Sequence, residues 1–193
     1  MTLESWLALP IGVGLAAACG LRVFLPLFVA AAAAHAGVLP LTSGFGWLAT
    51  VPALIVLGVA TVTEVAAYYV PWLDHALDVL AAPVATIAGV LVSASVMVEF
   101  PPPVRWALAI IAGGGAAGLL QGATTVLRAK SGLLTGGLAN PVVATFELVG
   151  ALALALLAVF LPLAAVAGAL LMGIVAWRRR RAGAIASPAA RAP

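Results

Sequence analysis

The sequence predicts an all-α fold, a polytopic membrane helix bundle with about six transmembrane helices. Three observations predict it. Of the 193 residues, 65% are apolar and 8% charged, against roughly half and about a quarter in an ordinary soluble domain. The apolar residues run in stretches of ~20 or more, the length that crosses a bilayer, separated by prolines and charges. Four of the nine basic residues, Arg178 to Arg181, stand directly after the last stretch, where basic residues mark the cytoplasmic end of a span. So few charges cannot cover a soluble globule, which excludes that class together with a disordered chain and a nucleic-acid-binding domain. The net charge of +3 reports a membrane flank and no nucleic-acid partner.

Segment one runs from Trp6 to Ala34 and contains Arg22 and Pro26. Segment two runs from Trp47 to Val70. The stretch from Pro71 to Asp78 carries two acids and reads as interfacial. Segment three runs from about Leu80 to Val98, and Pro101-Pro102-Pro103 ends it, because consecutive prolines cannot continue a helix. Segment four runs from about Val104 to Leu127. A polar loop, Arg128 to Asn140, follows. From Pro141 to Trp177 the 37 residues are too many for one span, and Phe160-Leu161-Pro162 near their middle reads as a tight hairpin. Six spans put Arg128, Lys130 and Arg178 to Arg181 on one side, so both termini are expected in the cytoplasm of a bacterial inner-membrane protein.

These segments form a single transmembrane domain, residues 1–177, followed over 178–193 by a basic cytoplasmic flank and a tail whose last twelve residues are expected to be disordered. The halves 6–100 and 104–177 suggest an inverted repeat: Gly14, Ala16 and Ala17 recur as Gly114, Ala116 and Ala117, and Thr61 to Glu64 echoes Ala144 to Glu147. Chance matches in an Ala- and Gly-rich chain are the competing explanation. The single cysteine, Cys19, excludes an internal disulfide. No basic residue precedes it, so it reads as a packing residue and the N-terminus as uncleaved.

The informative residues are ionisable groups at membrane depth, each costing ~3 kcal/mol near a helix centre on insertion scales. Arg22 lies four residues before Pro26, which has no N–H, so a kink with a freed carbonyl is expected there; snorkelling to an interface is the alternative. Thr61, Glu64 and Tyr68 share one helix face and must point into the bundle. Glu147 lies six residues after Pro141, with Thr145 beside it. The expectation is that Arg22, Glu64 and Glu147 converge on one polar intramembrane site, supported by Thr61, Tyr68, Gln121 and Thr145. Separate interhelical hydrogen bonds are the plainer reading. Gln121, Thr124 or Thr125, and Arg128 form a further stripe that reads as polar glue between helices. Asp74 and Asp78, one helical turn apart, could hold a hard cation at the interface, although interfacial solvation is the plainer reading.

The stretch Gly14 to Leu27 contains Gly-Leu-Arg-Val-Phe-Leu-Pro. Glu64 is followed by Pro71-Trp72-Leu73-Asp74-His75, Pro83 and Gly89 open the next span, and Glu147 lies early in the fifth. In these features, over roughly residues 10–177, the chain resembles the bacterial membrane family catalogued as domain of unknown function 4126. It departs where that family often carries Asp-Lys, with Tyr68 and Tyr69 instead. The resemblance implies a multi-span inner-membrane protein and no particular activity.

The function expected from these residues is a small transporter or channel-like protein with an intramembrane Arg/Glu site, acting on a small ion or solute. The alternative is a non-transporting membrane scaffold or partner-binding subunit. A cavity reaching Glu64 favours the first, and a dry bundle with every charge paired favours the second. No catalytic motif or nucleophile–base pair is present, and neither an enzymatic activity nor a cofactor is expected. The partners are the lipid bilayer and, through small-residue helix faces, a second copy of the chain.

Overall fold

The computed structural model describes residues 3–136 and 138–185, with their side chains except for 3–5, 71–79, 176, 177 and 179–185. Every regular element among them is helical. In order they are α1 (Leu3–Cys19), α2 (Phe24–His35), a 3-10 helix (Ser43–Ala49), α3 (Val51–Ala67), α4 (Pro71–Val96), α5 (Pro102–Leu108), a π-helical stretch (Ala109–Gly114), α6 (Gly115–Thr135), α7 (Asn140–Phe160) and α8 (Pro162–Ile185).

α1 is the centre of the bundle. It packs against α4, α7, α8 and α6, and its last five residues, Leu15 to Cys19, are wholly inaccessible. Small residues make this possible: Ala and Gly let neighbouring backbones approach closely. At Gly20 the approach is extreme, since a Cβ there would lie 2.4 Å from the Ala117 carbonyl oxygen of α6. The outer face is correspondingly apolar, with Ile111, Leu119, Phe146 and Leu163 all largely exposed. Such a surface is at home in lipid rather than water.

The run Pro102–Thr135 and α7 are each long and apolar enough to cross a membrane, and the 3-10 helix with α3, bent by 67°, makes a third. Four other apolar helices, Trp6–Cys19, Phe24–His35, Leu80–Val96 and Pro162–Val175, are shorter. The expected first span accounts for two of them, because it is two helices and not one kinked one. Pro26 does not kink α2 but lies in its first turn, where a missing N–H costs nothing. The second segment likewise starts later than Trp47 as an α-helix, at Val51, after the bend.

Three further boundaries differ from expectation. The Pro71 to Asp78 stretch is not a turn but the beginning of α4, which carries Pro83 inside it. Segment four does not end at Leu127: α6 continues to Thr135 and stops at Gly136, whose φ of +60° is the left-handed cap that glycine adopts freely. The loop expected from Arg128 therefore begins eight residues later. Ala182 to Ile185, expected in the disordered tail, belong to α8, and residues 186–193 lie outside the described residues.

The break between α7 and α8 falls at Leu161, as the hairpin reading has it. Gly168 meets Leu154 across it, seven residues to either side, so the two helices run antiparallel.

Candidate functional site

The polar residues gather around the break between α1 and α2. The first N–H groups of any helix have no intrahelical acceptor. In α2 these fall to a side chain from another helix: Glu64 of α3 accepts the N–H of Val23 at 2.7 Å with Oε1 and that of Phe24 at 3.0 Å with Oε2. A carboxylate at this position is favoured twice, by the hydrogen bonds and by the positive end of the helix dipole. Glu64 itself is buried.

Arg22 immediately precedes this cap and is 1% exposed. Snorkelling is therefore not its role. Its Nη2 donates to the Ala144 carbonyl of α7 at 2.7 Å and lies 3.7 Å from Oε2 of Glu147. Glu147 is gripped mainly by Arg128 of α6, whose Nε lies 3.0 Å from Oε1 and 3.1 Å from Oε2, with Nη2 closing the fork onto Oε2. The ring of Tyr68 meets both guanidinium groups, Arg22 at 3.9 Å and Arg128 at 4.2 Å from its centroid. Two cations and two carboxylates thus share one buried cluster, and their formal charges cancel.

The cluster is not fully satisfied. Nε and Nη1 of Arg22 have no hydrogen-bond partner. A buried donor left without an acceptor costs ~1–3 kcal/mol, more when charged, so Arg22 presents three unused N–H groups, one on Nε and two on Nη1, in a buried site.

The structure brings Arg22, Glu147 and Tyr68 into direct contact, with Glu64 joined to them through the backbone of residues 23 and 24. Thr61 and Gln121 are buried but spend their hydrogen bonds locally, on the Leu57 carbonyl and on Thr125. Thr145 meets the Tyr69 hydroxyl at 2.9 Å, linking α3 to α7 at the edge of the cluster. Asp74 and Asp78 lie on the first turns of α4, and their side chains fall outside the described residues. No group of three or more His, Cys, Asp or Glu among the described residues could hold a metal ion.

Arg128 is the residue that sequence reading misplaced. It is 4% exposed and is the main partner of Glu147. The signal was present in the stripe Gln121, Thr124, Arg128, all buried on one face of α6. Of the two readings of Arg128, start of the polar loop and member of this helix-pairing stripe, the structure bears out the second. Lys130, two residues on, is exposed.

Two apolar cavities, of about 610 and about 520 Å³, lie along α6 and α8, and none of the four charged side chains of the cluster lines either one.

A family described as Domain of unknown function (DUF4126) matches residues 9–181. No curated protein and no solved structure matches the chain.

Proposed function

Since the chain belongs to that family, whose description states no activity, we propose from the site itself that the protein is a small membrane transporter or channel-like protein. Its binding element is the α1–α2 break with Arg22, Glu64, Arg128 and Glu147. The single observation that carries this reading is Arg22, buried to 1% exposure at a helix break with Nε and Nη1 unused. Discontinuous helices with backbone and charged groups at their broken ends are how many transporters hold small solutes at membrane depth. A guanidinium with spare donors fits an acceptor: a carbonyl, a small anion or an ordered water. Glu64 holds the α2 N-terminus through its two amides, and Glu147 lies within reach of both Arg128 and Arg22. In this reading the protein is not an enzyme. In the same reading it sits in a bacterial inner membrane with both termini cytoplasmic, a placement supported by the basic run Arg178 to Arg181 after the last span.

The second reading, a static polar core that only specifies helix pairing, draws on the cancelling charges and on the two cavities that bypass them. Water access separates the two. In a Cys19→Ala background, cysteines placed at Ala144 and Thr124 are exposed to a charged aqueous thiol reagent in membranes. The transport reading expects labelling at these positions, and liposomes containing the protein should leak or exchange small anions faster than liposomes with Arg22→Gln. Absent labelling together with identical flux contradicts it and leaves the static core.

A further inference from the structure

α6 has two working faces. One carries Gln121, Thr124 and Arg128 toward the bundle. The other, extended back to Ile111 by the π-helical stretch and running on to Lys130, is one wall of a groove whose opposite wall is α8 from Val166 to Val175, with Val13, Ala17 and Leu21 of the α1 region as floor. The two cavities adjoin in this groove, sharing Leu120 and Ala123 on α6 and overlapping in sequence along α8. Low numbers on α6 face low numbers on α8 and high face high, so the helices run parallel. At about 1.5 Å per residue the α6 side is roughly 28 Å long but the α8 side roughly 14 Å, so the groove is walled on both sides over about half the hydrocarbon thickness of a bilayer.

Apart from Thr124, its lining is apolar except at one end. There Lys130 lines the wall, and α8, just past Val175, carries the exposed Arg178 within the run Arg178 to Arg181. Alanines and glycines leave the floor open, while Leu119, Leu127, Leu170 and Leu171 stand exposed along the rims. An apolar slot ending in cations is complementary to an amphiphile with an anionic head.

We infer that this groove holds one acyl chain of an anionic membrane phospholipid, with the phosphate at Lys130 and Arg178. The chain fills the stretch from Lys130 toward Ala123, and the head stays at the surface where both cations meet it. This binding is separate from the Arg22 site and survives if that site proves static.

The test uses the purified full-length chain in detergent. Native mass spectrometry and thermal unfolding are followed during titration with dioleoylphosphatidylglycerol and, separately, dioleoylphosphatidylcholine. The anionic lipid is expected to be retained at least about fivefold more tightly, and Lys130→Gln to weaken it about fivefold, the effect of roughly 1 kcal/mol per basic residue at an anionic surface. Ala123→Phe, which fills the junction of the two stretches, should reduce retention of both lipids. Lys130 is exposed, so its replacement leaves the fold intact even if Ala123→Phe does not fold. Equal retention of the two lipids, or anionic retention unchanged in Lys130→Gln, overturns the proposal. So does a dimer that forms without lipid and dissociates in Ala123→Phe, because a second copy would then occupy the groove.

Discussion

The carboxylate of Glu64 receives at 2.7 Å the backbone N–H of Val23, which lies 41 residues earlier in the chain. A side chain on α3 thus does for α2 what a Ser or Asp directly before a helix usually does. The start of α2 is consequently a tertiary feature: it exists only while α3 is docked.

Glu64→Ala removes both acceptors at once and leaves two amides bare in an apolar interior. The expected destabilisation is ~1–3 kcal/mol, with Glu64→Gln losing less because its carbonyl oxygen still accepts one N–H. Unfolding in mixed micelles measures both. Equal stability of Glu64→Ala and the parent chain would show that the cap contributes nothing.

Arg128→Ala should be among the most damaging single changes. It removes the main partner of the buried Glu147, leaving only Arg22 at 3.7 Å, and breaking a buried pair from one side costs about 3–5 kcal/mol. Adding Glu147→Gln should recover part of the loss, since the remaining group is neutral. The same unfolding assay checks this, and a double variant as unstable as the sum of the singles would contradict the pairing.

Tyr68→Leu keeps an apolar side chain but removes the ring against which both guanidinium groups rest. A desolvated cation–π contact contributes up to ~2 kcal/mol, so a loss of that order is expected, with increased protease cleavage near the break at residues 20–23. Stability and cleavage unchanged from the parent chain would remove the ring from the account.

The helical class and the apolar face were legible because lipid leaves one strong compositional signature. So was the α7–α8 hairpin, because proline after a long apolar run admits few alternatives. The costly residues Arg22, Glu64 and Glu147 could be picked out one by one, since each is expensive in hydrocarbon whatever it touches. Their partners were not legible, for physical reasons. The acceptor for the α2 amides comes from a different helix, and no local pattern encodes that. Pro26 looked like a kink because sequence alone does not show whether a proline lies inside a helix or in its first turn. Arg128 and Lys130 differ by two residues but point to opposite faces of α6, one into the cluster and one toward the groove. The stripe Gln121, Thr124, Arg128 pointed to the inward face, but which carboxylate it would meet was not encoded locally.

The central claim is that the α1–α2 break and the α6–α7 ion pair form one coupled unit through Arg22. A double-mutant cycle with Arg22→Ala and Glu147→Gln, measured by reversible unfolding in bicelles, tests it most directly. Arg22 and Glu147 lie 3.7 Å apart, and groups in one network couple by ~0.5–3 kcal/mol. The account predicts a coupling within that range, the double variant being more stable than the two single losses predict. Strictly additive losses would contradict it, and Arg22 would then belong to α2 alone.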